Sequence, residues 1–222
     1  MKKSKLLKRY FFCLLFAGSL PLLALEKPQI ARLHFDGGGD WYNNPDMIPN
    51  MVEVLNNELN TGFATEEAIV TPSETRLFEF PFVVMTGHGN ISFSENDAEN
   101  LRKWLLRGGC LYADDDYGMD ESFRREIKKV FPEKELAELP ASHPIFSSFY
   151  QLSAGTPKIH KHDDKRPQTF AIFDEDGRLM VLYTYETNIT DGWSNAHDDP
   201  PQVRQQAFKM GVNILYYLFT KG

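Results

Sequence analysis

The sequence predicts an α/β fold: a three-layer sandwich with a mainly parallel, flavodoxin/Rossmann-like sheet and an antiparallel hairpin at one edge. Three observations carry this. Short apolar runs that break into loops rich in glycine and aspartate alternate with stretches of helical periodicity at least three times. The runs are continuous, as in strands buried on both faces. Late in the chain, two strand-like runs flank an acidic turn.

In chain order, residues 1–25 come first and read as a targeting signal. Lys2, Lys3, Lys5, Lys8 and Arg9 precede an apolar stretch from Tyr10 to Leu25 that Pro21 interrupts. A basic start, a short apolar stretch and a small residue (Ala24) before Glu26 form a secretory pattern. About sixteen apolar residues are at or below the length needed to span a bilayer. Export by a cleavable signal, to the periplasm or beyond, is therefore expected. An uncleaved anchor is the alternative. Residues 26–222 are expected to form a single domain.

Ile30 to Phe35 reads as a strand breaking into Asp36-Gly37-Gly38-Gly39-Asp40. Ile48, Met51, Val52, Leu55 and Leu59 form a helical stripe, with Gly62 as its stop. Glu67 to Val70 is a short second strand and Phe80 to Thr86 a third. Ser94, with Asp97 three residues on, has capping-box spacing, and Ala98, Leu101 and Leu105 follow as an apolar face. Cys110 to Ala113 is the next strand, ending in Asp114-Asp115-Asp116. Asp120 is expected to cap a helix with Phe123, Ile127 and Val130 inward. Thr169 to Phe173 and Arg178 to Tyr185 form the hairpin, and Pro200-Pro201 opens the last helix. Ala141 to Gln168 is a long irregular connection, the kind that often serves as a lid or binding loop.

Composition sets the outer limits. The chain has 222 residues, 42% hydrophobic and 25% charged, enough for a buried core and unlike a disordered chain. Its formal charge of −7 falls to −12 once the five basic residues of the signal are removed. Such a surface repels phosphate backbones, so nucleic acid is excluded as a general partner. Cys110 alone remains after signal removal, so the exported domain must be held by its core and not by disulfides. Cys110 sits at the start of its strand and reads as a buried apolar residue.

In open parallel sheets ligands bind beyond the carboxyl ends of the strands. Asp36, Gly37, Gly38, Gly39, Asp40, Trp41 and Tyr42 follow the first strand there, and Gly87, His88 and Gly89 follow the third. These are the candidate ligand-binding residues, with the two aromatics as a stacking platform or, for Trp41, a core lid. His88, Asp114, Asp115 and His143 are candidate catalytic groups. Asp114, Asp115 and His88 are the candidate ligands of a divalent cation, the cofactor the sequence allows. The alternative for the aspartates is helix capping. His160 and His162 read as a solvated loop; as an H-x-H pair they could bind a transition metal only in a strand, where alternate residues share a face. Asp191-Gly192-Trp193 and His197-Asp198-Asp199 read as a polar turn, with Trp193 as a ring-binding aromatic or a plug.

Together, GGGDWYNN (37–44), TGHG (86–89), the Ser94-Glu95 helix start, LRKWLLRGGCLYADD (101–115), FRREIKKVFP (123–132), ELPASHPIFSSFY (138–150) and MGVNILYYL (210–218) resemble a bacterial family known as domain of unknown function 4159. The resemblance implies a sandwich similar to class I glutamine amidotransferase-like domains. The HPIF segment is similar to a His-Pro-Ile loop of sugar-associated members of that wider group. It also implies that Asp114-Asp115 occupies the place where amidotransferases carry their cysteine, so thiol chemistry is not expected. The leading functional expectation is an exported domain that binds a small polar ligand, for example a sugar. One alternative is a metal-dependent hydrolase built on Asp114, Asp115 and His88, with His88 or His143 moving the proton. Another is an envelope module whose partner is a protein. Contact with a membrane is expected only through residues 1–25.

Overall fold

The computed structural model describes residues 27–162 and 164–221. The targeting segment at 1–25 lies outside them. The strands are β1 (Ala31–Leu33), β2 (Ala68–Val70), β3 (Phe82–Gly87), β4 (Cys110–Asp115), β5 (Ala137–Glu138), β6 (Gln168–Phe173) and β7 (Leu179–Tyr185). The helices are α1 (Met47–Leu59), α2 (Glu95–Leu106), α3 (Asp120–Val130) and α4 (Pro201–Lys221). Short 3₁₀ turns lie at Thr75–Glu79, Pro144–Ser147 and Asp191–Trp193.

One seven-stranded sheet has the order β2-β1-β3-β4-β7-β6-β5. Pairs from β2 through to β7 are parallel, and β7–β6 and β6–β5 are antiparallel. The hairpin is thus as expected, with a refinement. Its second strand joins the parallel set beside β4, because the return across β6 brings β7 back in the direction of β4. The continuous apolar runs are fully buried: β3 and β4 expose no residue. Two apolar cores cover the two faces. One joins Met51, Val52 and Leu55 of α1 to Met210 and Ile214 of α4 across Val84, Tyr112 and Leu182. The other joins Leu101 and Trp104 of α2 to Phe123 and Ile127 of α3 across Val83, Leu111 and Val181.

Helix ends follow local chemistry. The capping box at α2 forms as expected: Ser94 Oγ accepts the Asp97 amide at 3.1 Å, and Asp97 accepts the Ser94 amide at 2.9 Å. Two expectations are corrected. The stop of α1 is Asn60, in the left-handed region at φ 52°, two residues before Gly62. The residue before α3 is Met119, whose amide donates to Asp115 Oδ1 at 2.8 Å, and no side chain caps the helix. Asp120 is the first helical residue, and it accepts from Arg124 at 2.7 Å. No helix among the described residues is long and apolar enough to cross a membrane.

Candidate functional site

The strand order turns from leftward to rightward between β1 and β3, the point where open α/β sheets leave a crevice. Arg32 of β1 builds its first wall. Buried and paired with Glu67 at 3.0 Å, it donates to the carbonyls of Trp41 at 3.2 Å, Asn44 at 3.0 Å, and Asn43. Residues 41–44 are thereby folded over the strand end. The side chain of Asn43 donates to Asp116, and that of Asn44 donates to Asp191 at 2.5 Å. Asp46 anchors the same loop, accepting from the Ser194 hydroxyl at 2.6 Å and the Asn195 amide at 2.9 Å. Burial works against its charge, but these donors hold its carboxyl below the ordinary range.

The glycine loop packs on the loop after β3. The Gly39 amide donates to Asn90 O at 3.0 Å, and the Ser92 amide to Asp36 O at 2.7 Å. A Cβ at Gly39 would lie 2.6 Å from the His88 carbonyl, and Gly37 has φ +116° with backbone at 2.7 Å from an added Cβ. Glycine is therefore required here for loop-on-loop contact. Gly38 faces open space, and Asp36 is exposed. Trp41 is half-buried and stacks on His34 at 4.1 Å, while Tyr42 is 64% exposed.

This packing sets Asp40 against His88, between Gly87 and Gly89. Asp40 accepts the His88 backbone amide, and its Oδ2 lies 3.0 Å from His88 Nδ1. The other ring nitrogen, Nε2, lies 3.6 Å from Asp116 Oδ2, with the side chain 47% exposed. A carboxylate on Nδ1 fixes the ring's direction, and Nε2 faces the buried Asp116 from a half-exposed ring.

The three aspartates at the end of β4, the last just beyond it, have three fates. Asp114 is buried, and its Oδ2 accepts the Thr190 amide at 2.6 Å and hydroxyl at 2.8 Å. Its Oδ1 accepts the Thr184 hydroxyl. Burial raises its carboxyl to about 7 despite these donors. Asp115 points to the opposite face, as strand alternation demands, and accepts the Met119 amide just before α3. Burial raises it to about 6. Asp116 returns to the first face and enters a polar cluster. The structure therefore does not bring Asp114, Asp115 and His88 together: Asp114 is bonded to Thr184 and Thr190, and Asp115 to the Met119 amide.

That cluster gathers residues far apart in the chain. Asn188 donates to Asp116 at 2.7 Å and to Asp191 at 3.2 Å. His160 Nδ1 lies 2.9 Å from Asp191 Oδ2, and its Nε2 lies 2.9 Å from Asp199. His197 Nε2 lies 3.5 Å from Asp191 Oδ1 and 2.9 Å from Asn44 Oδ1. Burial and the adjacent Asp191 push Asp116 well up, toward its neutral form. Burial would raise Asp191 too, but the hydrogen bond from His160 leads the contacts that hold it down. The same bond raises His160. His160, Asp191 and His197 each offer a ligand atom, all within 4.8 Å of one another.

The solvated reading of His160 is thus corrected, while His162 is exposed and stacks on Tyr117 at 4.5 Å. His143 lies elsewhere: its Nδ1 accepts the Ile145 amide at 3.3 Å, and its ring packs on Phe173 and Tyr217. Phe173 pairs with Leu179 at the opposite end of the parallel strands, so His143 does not join the cluster. Trp193 is a plug, its indole N–H bonded to Ala207 O at 2.9 Å. Cys110 is buried at the amino end of β4, which pushes its thiol up to about 12.

Residues the sequence did not single out as functional are Asn43, Asn44, Asn188, Asp191, His197 and Asp199. Backbone strain marks the same region. Asn44, Tyr117, Glu186, Asn188 and Asp198 all have positive φ, between 49° and 82°. Non-glycine residues held so cost free energy, and such positions gather at functional sites.

The family model described as domain of unknown function (DUF4159) matches residues 29–219. No curated protein matches the chain.

Proposed function

The chain belongs to the DUF4159 family, and from that premise we propose that its strand-end site binds a small, hydroxyl-rich ligand, a sugar first of all, in a domain exported by the signal at residues 1–25. The observation that carries this reading is the Asp40–His88–Asp116 arrangement at the switch point of the sheet. A half-exposed imidazole, pinned on one nitrogen, offers the other to a hydroxyl. Asn43 and Asn188 stand beside it as donors already fixed on Asp116. Tyr42 and Tyr117, 64% and 51% exposed, supply aromatic faces of the kind that pack on sugar rings. The implied likeness to class I glutamine amidotransferase-like domains belongs with this proposal.

One observation favours a second reading, hydrolysis of that ligand. A carboxylate on Nδ1 is how a histidine is oriented to take and return a proton at Nε2. His88 would fill that role, without Asp114 and Asp115.

Saturation-transfer NMR against a panel of neutral mono- and disaccharides tests the binding reading. Binding by at least one sugar, weakened about tenfold or more in His88→Ala, is expected; a lost hydrogen bond with a buried partner is worth that much. No transfer to any sugar, or transfer unchanged in His88→Ala, overturns it.

A further inference from the structure

We propose that His160, Asp191 and His197 hold a divalent transition-series cation of the zinc type. This goes beyond the sugar-binding reading and rests on different side chains. The three come from the long connection before β6, the 3₁₀ turn after β7 and the loop before α4, so only the fold brings them together. His160 Nδ1 lies 2.9 Å from one Asp191 oxygen and His197 Nε2 3.5 Å from the other, and one donor atom from each residue lies within 4.8 Å of the other two, near enough to close on the spacing of about 3.3 Å of a tetrahedral zinc.

Charge argues the same way. Asp191 and Asp116 are 3% and 1% exposed, and their ion-pair partners are histidines: His160 and His197 for Asp191, His88 for Asp116. Buried carboxylates need compensation. A dication between the two imidazoles and Asp191 supplies it outright, each ring nitrogen exchanging its hydrogen bond for a metal bond. Two nitrogens and one oxygen suit zinc, cobalt or nickel, whereas magnesium and calcium favour all-oxygen shells.

The surroundings are those of a ligand set. The far nitrogen of His160 rests on Asp199, 2.9 Å and 3.0 Å from its two oxygens. A carboxylate behind a ligating histidine fixes the ring and raises its basicity. Asn44 and Asn188 hold the two Asp191 oxygens. His197 is the most exposed of the three donors and leaves a solvent-facing side. Three protein ligands with one open position is the arrangement of reactive zinc sites rather than of closed structural ones.

The test is calorimetric titration of the purified chain, carrying no histidine tag and stripped with EDTA, with Zn²⁺ and separately with Mg²⁺ and Ca²⁺. One Zn²⁺ per chain is expected, with binding weakened at least 100-fold in His160→Ala and in His197→Ala, 10- to 100-fold in Asp199→Asn, and unchanged in His143→Ala. Should the alanine variants misfold, Co²⁺ added to the unaltered chain gives a second readout: the intense visible absorption of a four-coordinate site. Absence of Zn²⁺ binding, binding undiminished in both histidine variants, preference for Mg²⁺ or Ca²⁺, or a weak octahedral Co²⁺ spectrum would each overturn the assignment. Sugar binding that persists while Zn²⁺ binding fails refutes this inference and leaves the ligand reading standing; the reverse refutes the ligand reading alone.

Discussion

The two ends of the sheet are finished by different chemistry. At the amino end, fixed donors close the structure. The Trp104 indole bonds Phe80 O at 2.8 Å, and Arg178 donates to Gly109 O at 3.0 Å and Leu105 O at 2.6 Å. At the carboxyl end, His88, His160, His197, Asp116, Asp191 and Asp199 answer one another, and five non-glycine residues are held at positive φ. Every buried side-chain nitrogen and oxygen among the described residues has a partner. The ends therefore differ not in satisfaction but in the kind of partner. At the amino end backbone carbonyls answer fixed N–H donors, with His143 and Asp174 as titrating exceptions, whereas at the carboxyl end titrating groups face one another.

The sharpest break of this contrast is at the amino end. Trp104 is 2% exposed, and Gly109 lies under its ring with no room for a Cβ. Trp104→Ala should lower stability by about 3–5 kcal/mol, read from the denaturant midpoint. Below the unfolding transition, it should leave sugar and Zn²⁺ binding as they were. A loss of binding in the folded variant would show that the two ends are coupled.

Asp114 tests the border between the two kinds of chemistry. It lies on the strand-end side but is held by hydroxyls and an amide. Asp114→Ala strands those donors and should cost about 1–3 kcal/mol at low pH, where the carboxyl is neutral in both the folded and the unfolded chain. Asp114→Asn keeps most of them and isolates the charge. The folded carboxyl sits at about 7, against an ordinary value of 3.8. A raised carboxyl contributes stability that is fully present below about 4 and is lost as pH rises through 7, about 1.4 kcal/mol per pH unit in that window. The unaltered chain should thus gain on Asp114→Asn at pH 5 relative to pH 8. Equal differences at both pH values would show that the carboxyl is not held in its neutral form.

The fold was largely legible because its determinants are local. Continuous apolar runs gave β3 and β4, Ser94 and Asp97 gave the start of α2, and the stripes of α1 and α3 gave their buried faces. The site was legible by half. Asp40 and His88 stand in glycine loops directly after apolar strands, where the parallel-sheet rule points. Asp191, His197 and Asp199 follow β7, but the sequence gives no sign that β7 lies beside β4, since an edge hairpin reads the same whichever strand it joins. His160 is reached only through contacts with residues 31 and 39 positions later. Pairings of that kind are set by the fold, and no spacing in the chain announces them. The choice among Asp114, Asp115 and Asp116 failed for a local reason: it paired neighbours 114 and 115, which alternation sends to opposite faces, whereas 114 and 116 share one.

The smallest expected effect bears on strain. Tyr117 has φ +82° and packs its exposed ring on His162. At ordinary positions alanine is more stable than glycine by about 0.5–1 kcal/mol, because glycine has more freedom to lose on folding. At a left-handed position the sign reverses. Tyr117→Gly and Tyr117→Ala both remove the stack on His162 and the aromatic face, so their difference reports the backbone alone. The glycine variant should be the more stable by about 1 kcal/mol, and the two should weaken sugar binding equally. If alanine proves the more stable, residue 117 carries no stored strain, and its backbone belongs with the relaxed chemistry of the amino end. If the two variants bind sugar as tightly as the unaltered chain, the ring at 117 is not part of the ligand surface, and Tyr42 is left as the aromatic face to test.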